Sequence, residues 1–508
     1  ISGRGDTAAI ALLTAFSTDL DPALEAGELT GSPWAQLKFT CSSLLINLGD
    51  ERLNRDAIES GIRCAQDAVE RGSEPLLAQQ LQYNVANGRS SLHKVNARDW
   101  KAAGPGLPPG LITLRDRELL RLLRRGFSDV GYSVVHQHVR GMALCNLGNE
   151  LDHSGRWVEA YQAYVDALAA DPTNGNAAGN AAEMLRNRAA RGRGLPGHYA
   201  ALYDRYREQA LKYRDRTVEL AGEEVAKRWD ALPPSGSQGH VSHEGDPLDS
   251  YQQWIKRHRL ALTLAVEGLG SDDLRWASAP IEGVTVPIEE PDPPRIFTSM
   301  NVLKAEYLVA RRLAFDGETL LDESPFAQHP SDSGTYSDTL DMALYGETPA
   351  RLVLAQRATL DLLDKIAVAA NDHFGTGVAP RRTTFASYWR EPGEDVLRKG
   401  LPLPGKLRSA GVALAELAFD MDPAGMYPAA KTLRNAGTHR LVNLTWGDAT
   451  GATELAHSSV DAGSLVHATR EALRVARAAY IYLIDLVQDQ QDALPNEDRP
   501  QLPIFDQP

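Results

Sequence analysis

The stretch GMALCNLGNELDHSGRWVEAYQAYVDALAADPTN, residues 141–174, decides the fold of this chain. Its apolar and small residues recur mostly three and four positions apart, which predicts two helices that fold back on each other. Gly148 and Ala160 are small enough to let the two helices touch. Pro172 cannot continue a helix and ends the second one. The sequence therefore predicts a helical hairpin here.

The same positions match the 34-residue tetratricopeptide repeat (TPR). The matching residues are Leu144, Leu147, Gly148, Leu151, Ala160, Tyr164, Ala167 and Pro172. A lone hairpin of this kind cannot bury both of its apolar faces, so we expect neighbouring hairpins. Residues 33–70, 76–85 and 176–188 carry further helical patterns. We predict a TPR-like helical-hairpin solenoid over residues 1–230.

The length of 508 residues, with 43% apolar residues, calls for more than one domain. Pro, Gly and Ser cluster in residues 232–246 without periodicity, as in a linker. We assign residues 231–250 to the linker, 251–490 to a second helical domain and 491–508 to a tail. The predicted fold class is all-α.

The cysteine spacing, the lengths of the apolar runs and the net charge argue against several classes of protein. Cys41, Cys64 and Cys145 are far apart and form no C-x-x-C pair, which argues against a disulfide framework and a thiolate metal site. No apolar run approaches the roughly 20 residues that span a bilayer. We expect a cytoplasmic protein with no membrane contact, no metal and no cofactor. The net charge of −14 argues against a protein that coats nucleic acid over its whole surface.

The second domain shows helical periodicity over 251–269, 296–314, 348–374, 406–419, 428–446 and 458–487, and strands should be nearly absent. In the predicted helix 428–446, an apolar stripe occupies one face. Arg434 lies at the flank of this stripe, and Asn435 and His439, which are four residues apart, lie close to the opposite side. An arginine, an amide and a histidine are therefore expected to share one surface.

The string Arg434-Asn435-Ala436-Gly437-Thr438-His439 resembles the R-N-x-x-x-H signature of the HEPN superfamily. Three other segments resemble a large bacterial HEPN subgroup that often follows TPR-like repeats. They are SMNVLKAEYLVARRLAF (299–315), SDTLD (337–341) and QRATLDLLDKIAVAANDHFG (356–375). The resemblance covers roughly residues 290–490. It implies a C-terminal helical bundle that acts as a metal-independent endoribonuclease and forms a homodimer or a higher oligomer.

The resemblance implies that Arg434, Asn435 and His439 are catalytic. Histidine titrates near pH 7, so His439 would move a proton while the RNA 2′-hydroxyl attacks the phosphate. The guanidinium of Arg434 would stabilise the extra negative charge. Asn435 would hold His439 or a phosphate oxygen. The expected products carry a 2′,3′-cyclic phosphate and a 5′-hydroxyl.

Four further basic residues are candidates for RNA binding. Lys431 and Arg440 flank the motif, and Arg381 and Arg382 open the basic segment 381–408. A solvated charged loop is the alternative interpretation of that segment. The expected partners are an RNA substrate, a second copy of the chain and a protein or peptide bound to the repeats.

Two other interpretations stay open at this point. In the first, the HEPN-like bundle is inactive and the chain is a scaffold or an RNA-binding protein. In the second, the chain is a TPR adaptor whose C-terminal bundle only dimerises. The motif residues would then form a solvated helix face. By analogy alone, the nuclease interpretation predicts an effector of stress response or phage defence that the repeats regulate.

Overall fold

The computed structural model describes residues 2–504, apart from 103–113, 134–135, 191–195, 237–242, 244, 280, 282–283, 288–292, 324–330, 338, 340–342, 403–408, 429–440, 447–456 and 494–500. The described chain is mostly α-helical, so the predicted fold class is confirmed. A helical repeat region is followed by a C-terminal helical domain.

The repeat region is formed by consecutive helices. They are α1 (Ser2–Glu25), α2 (Gly31–Arg52), α3 (Arg55–Glu70), α4 (Pro75–Ala102), α5 (Arg117–Gly131), α6 (Gln137–His153), α7 (Trp157–Ala170), α8 (Gly175–Ala190), α9 (Pro196–Lys212), α10 (Arg214–Ala221) and α11 (Glu223–Asp230). From α1 to α9, each helix packs on the next one along the chain. Stacking of successive hairpins is how repeat proteins bury a continuous core.

Helices α6 and α7 form the hairpin predicted over residues 141–174. A Cβ atom added to Gly148 would lie 2.4 Å from the Tyr164 ring, so only glycine allows this approach. Ala160 is fully buried. Gly148 and Ala160 thus allow the two helices to touch, as their small size predicted.

The C-terminal part contains α12 (Ser250–His258), β1 (Val284–Pro287), α13 (Arg295–Glu323), β2 (Ala343–Leu344), α14 (Glu347–Phe374), α15 (Phe385–Tyr388), α16 (Ala410–Asp420), β3 (Leu441–Thr445), β4 (His457–Asp461), α17 (Ala462–Ala493) and β5 (Gln501–Ile504). Helices α13, α14 and α17 pack together, and α16 lies against α17. Strand β1 pairs with β5, and a second sheet has the order β2-β3-β4.

The predicted helix 428–446 is wrong at its C-terminal end, because Leu441–Thr445 is strand β3. This strand runs parallel to β4 and antiparallel to β2, where Leu444 faces Leu344. Leu444 is 1% exposed and belongs to a small cluster beneath the sheet. Apolar residues three apart suit a helix, but the partner strands and this cluster select the extended form.

The helix predicted over 251–269 is wrong beyond His258, because Arg259 has a left-handed backbone (φ 55°) that ends α12. The remaining predicted helices are confirmed with changed ends. Residues 348–374 correspond to α14, and the helix predicted over 296–314 continues to Glu323 in α13. The helix predicted to start at Ser458 begins at Ala462, because the preceding residues form β4. The described residues contain five short strands, so the chain has little strand, as predicted.

The largest hydrophobic cluster runs from Ala86 to Val487 and includes residues of α5–α9, α13, α14, α16 and α17. The repeat helices and the C-terminal helices therefore share one apolar interior. A second hydrophobic cluster consists of residues of α1–α4. The sequence-based domain limits stay a prediction. Of the helices described, none is both long and apolar enough to cross a membrane.

Candidate functional site

A cleft of about 850 Å³ lies between the repeat helices and the C-terminal helices. Residues of α5, α6 and α7 form one wall, and the N-terminal half of α17 forms the other. His258, at the end of α12, and Met426–Pro428 complete the lining. Pro428 directly precedes residues 429–440, which contain the R-N-x-x-x-H string. The described chain on that side of the motif therefore ends at the cleft.

Tyr427 ties this end of the chain to the repeat region. Its hydroxyl donates a hydrogen bond to Glu159 Oε1 on α7 (2.6 Å), and its backbone N–H donates to the carbonyl of Asp420 (3.0 Å). The hydroxyl of Tyr482 on α17 donates to Glu159 Oε2 at 3.1 Å. Burial and the Glu159 carboxylate raise the pKa of Tyr427, so its hydroxyl keeps the proton that it donates.

A network of buried ion pairs surrounds the hydrogen bond between Tyr427 and Glu159. Arg124 on α5 donates through Nε to Asp420 Oδ2 (2.8 Å) and through Nη2 to Glu416 Oε2 (2.9 Å), both on α16. Arg156, just before α7, pairs with Asp420 and donates through Nε to Glu159 Oε2 at 2.9 Å. The side chains of Arg124, Glu416 and Asp420 have 0% exposure. The repeat region is thus joined to the C-terminal helices by charges that water does not reach.

Arg434, Asn435, His439, Lys431 and Arg440 lie outside the described residues. Their predicted roles therefore stay predictions. The described chain flanks them with Pro428 at the cleft and with Leu441 paired to His457 in the small sheet.

Residues 288–490 match the family model described as LA2681-like HEPN. The C-terminal part of this chain is a HEPN domain. Its limits agree with the resemblance predicted over roughly 290–490, and the R-N-x-x-x-H string lies within it. No curated protein and no solved structure matches the chain.

Arg381 and Arg382 lie in the HEPN domain, in a single 3₁₀ turn, Pro380–Arg382, that follows α14. Both are exposed, and neither lines the cleft. The structure therefore does not bring these two candidate RNA-binding residues together with the cleft.

A second charged cluster, which the sequence did not reveal, borders the cleft where α12 meets the HEPN domain. Glu318 on α13 accepts hydrogen bonds from Trp254 Nε1 (2.9 Å) and Arg470 Nε (2.8 Å). His258 Nε2 lies 3.9 Å from Glu318 Oε1 and makes no hydrogen bond within the described residues. Burial lowers the pKa of His258 to about 3, and nearby arginines add to the effect. His258 is therefore neutral at pH 7.

His467, on α17 of the HEPN domain, is the opposite case at the mouth of the cleft. Its side chain is 71% exposed, and Nε2 lies 3.5 Å from Glu471 Oε1. The hydrogen bond to Glu471 raises the pKa of His467. Two histidines of one cleft thus have pKa values that move in opposite directions.

We expect His258 to make the protein less stable as the pH falls from about 6.5 towards 3. An unfolded chain binds a proton on histidine near pH 6.5, whereas folded His258 does so only near pH 3. The lowered folded-state pKa therefore costs up to about 1.4 kcal/mol of unfolding free energy per pH unit in this window. Urea unfolding at several pH values measures the slope.

His258→Phe removes the titration and keeps a ring against Trp254, which His258 contacts edge-on at 5.3 Å between ring centroids. The variant should lose less unfolding free energy than the parent between pH 6.5 and 4. His153 is exposed, and the His153→Gln variant is the matched control. An equal slope in parent and His258→Phe would contradict the assignment.

Proposed function

We propose that this protein is an endoribonuclease whose HEPN domain cleaves RNA by attack of the 2′-hydroxyl on the neighbouring phosphate. The observation that carries the proposal is the match of residues 288–490 to a HEPN family, together with the R-N-x-x-x-H string at 434–439 inside that match. Proteins with HEPN domains are commonly ribonucleases.

Each motif residue has a chemical task in this proposal. His439 transfers a proton during the attack, since imidazole has a pKa suited to proton transfer at neutral pH. Arg434 offers a planar, permanently charged donor pair to the phosphorane oxygens. Asn435 holds His439 or a phosphate oxygen. One histidine does not serve as base and acid in a single step, so the motif of a second copy in a homodimer supplies the other group.

Control by the repeat region is part of the proposal. Tyr427, two residues before the segment 429–440, is bonded to Glu159 of the repeat helix α7. A partner protein or peptide that shifts α7 would therefore act on the chain next to the motif. This arrangement fits an effector of stress response or antiviral defence that is silent until a partner binds.

The test is incubation of the full chain with total RNA and with tRNA in EDTA, followed by mapping of the new ends. We expect cuts that leave a 2′,3′-cyclic phosphate and a 5′-hydroxyl. The same mapping on RNA from bacterial cells that produce the full chain covers the case of a silent purified protein. Absence of cuts in both would favour the scaffold or RNA-binding interpretation.

A further inference from the structure

We propose that the cleft between the repeat helices and the HEPN domain binds a nucleoside phosphate, held between Arg140 on one wall and Arg474 on the other. The ligand is either a free nucleotide or one unit of a single-stranded RNA. This site uses none of the R-N-x-x-x-H residues, so it stands or falls separately from the cleavage chemistry.

The two arginines are held in the same way. Arg140 Nε donates to the carbonyl of Gly131 at 3.1 Å, and Arg474 Nε donates to the carbonyl of His258 at 3.1 Å. Both side chains are partly buried and line the cleft. Their Nη1 and Nη2 groups make no hydrogen bond with any described residue. Each guanidinium is thus oriented by its inner nitrogen and keeps its outer fork free.

The outer fork of a guanidinium matches two oxygens of a phosphate. Because the inner nitrogens are already bonded to backbone carbonyls, little side-chain freedom remains to be lost on binding. Two such forks on opposite walls would contact one phosphate or two successive phosphates from both sides.

Within the described residues, no acidic residue of the lining forms an ion pair with these forks, and each has another partner. Glu159 accepts from Tyr427 and Tyr482, and Asp166 accepts from the Tyr132 hydroxyl at 2.9 Å. The remaining two pairs are Asp129 with Arg125 at 3.5 Å and Glu471 with His467 at 3.5 Å.

The other two arginines of the lining are also engaged. Arg470 is bound to Glu318, and Arg477 donates to the carbonyls of Ala261, Thr263 and Leu264. Among the four arginines of the lining, Arg140 and Arg474 are therefore the two whose Nη1 and Nη2 groups both lack a hydrogen bond with a described residue.

An aromatic ring at the cleft adds a contact for a base. Tyr132 follows α5 and lines the cleft, and it is 49% exposed. Its hydroxyl bond to Asp166 keeps the ring in place. Flat, exposed aromatic rings stack on unpaired bases of any sequence. Phosphate forks and a ring in a cleft of about 850 Å³ favour a nucleotide over an inorganic anion.

The experiment measures binding to the full-length His439→Ala chain in EDTA, so that cleavage does not remove the ligand. A fluorescein-labelled hexanucleotide RNA is titrated by anisotropy, and AMP, ATP and inorganic phosphate are added as competitors. Arg140→Gln and Arg474→Gln should each raise Kd about tenfold. Arg295→Gln, at a side chain that is 88% exposed and does not line the cleft, is the matched control and should leave Kd unchanged.

Two further arms separate binding from folding and identify the source of the ligand. Thermal unfolding checks that the variants are folded, and the Arg140→Lys and Arg474→Lys variants keep the charge without the fork and should bind less tightly than the parent. Competition by AMP or ATP at concentrations close to the RNA Kd identifies a free nucleotide, and competition only by RNA identifies a strand. Competition by inorganic phosphate equal to that by AMP, absence of binding, or equal binding by the Gln variants and the parent overturns the proposal.

Discussion

RNA cleavage by the His439→Ala variant is expected to be 10²- to 10⁴-fold slower than cleavage by the parent chain, the usual loss when a general acid or base is removed. The variant lacks the one side chain of the motif with a pKa suited to proton transfer at neutral pH. Single-turnover cleavage of a labelled tRNA, measured in EDTA, gives the two rates.

Arg434→Ala should lower the rate by about 10²- to 10³-fold, since a preorganised charge donor to the transition state contributes that much. Arg434→Lys should recover only part of the rate, because an ammonium lacks the planar donor pair. Thr438→Ala, within the same string but outside the trio, serves as the matched control. Equal cleavage by parent, His439→Ala and Arg434→Ala would assign the nuclease activity elsewhere or to a contaminant.

The second large effect concerns the buried ions that join the repeat region to the HEPN domain. Arg124→Met is expected to lower the unfolding free energy by about 3–5 kcal/mol, the usual cost of leaving a buried charge unpaired. Glu416 has 0% exposure and would lose its cation, whereas Asp420 would keep Arg156. Burial already raises the pKa of Glu416 despite Arg124. Urea unfolding, followed by circular dichroism, measures the change.

A second substitution separates the charge effect from lost packing. The double variant Arg124→Met, Glu416→Met removes both partners and should recover most of the lost stability, since buried ion pairs are often replaceable by apolar side chains. Arg63→Ala is the surface control, since Arg63 is 63% exposed in its pair with Glu59 and should change stability by at most about 1 kcal/mol. A loss of similar size for Arg124→Met and Arg63→Ala would contradict the role of the network.

Local sequence information was enough for much of the fold. The spacing over residues 141–174 predicted α6 and α7, because a helical hairpin depends on contacts between residues close in the chain. The periodicity over 348–374 likewise predicted α14. At Leu441–Thr445 the same method failed, since the strand depends on Ala343–Leu344 and His457–Asp461, which local spacing does not include.

The candidate site likewise has one part that the sequence predicts and one part that it does not. The R-N-x-x-x-H string is local and could be read from the sequence, and the HEPN match covers it. The cleft could not be predicted from the sequence, because its contacts join residues that are far apart in the chain. Arg474 and His258, for example, are 216 positions apart. No spacing rule links them.

By itself, the sequence determined most of the helices, the repeat hairpin at 141–174, the HEPN resemblance and the candidate trio Arg434, Asn435 and His439. These depend on periodicity and short motifs that the chain carries locally. Only the tertiary structure decided that Leu441–Thr445 is a strand, that Arg124 meets Glu416 and Asp420 in a buried network, and that Arg140 and Arg474 line the two walls of one cleft. The physical reason is that burial and pairing depend on which distant segments pack together.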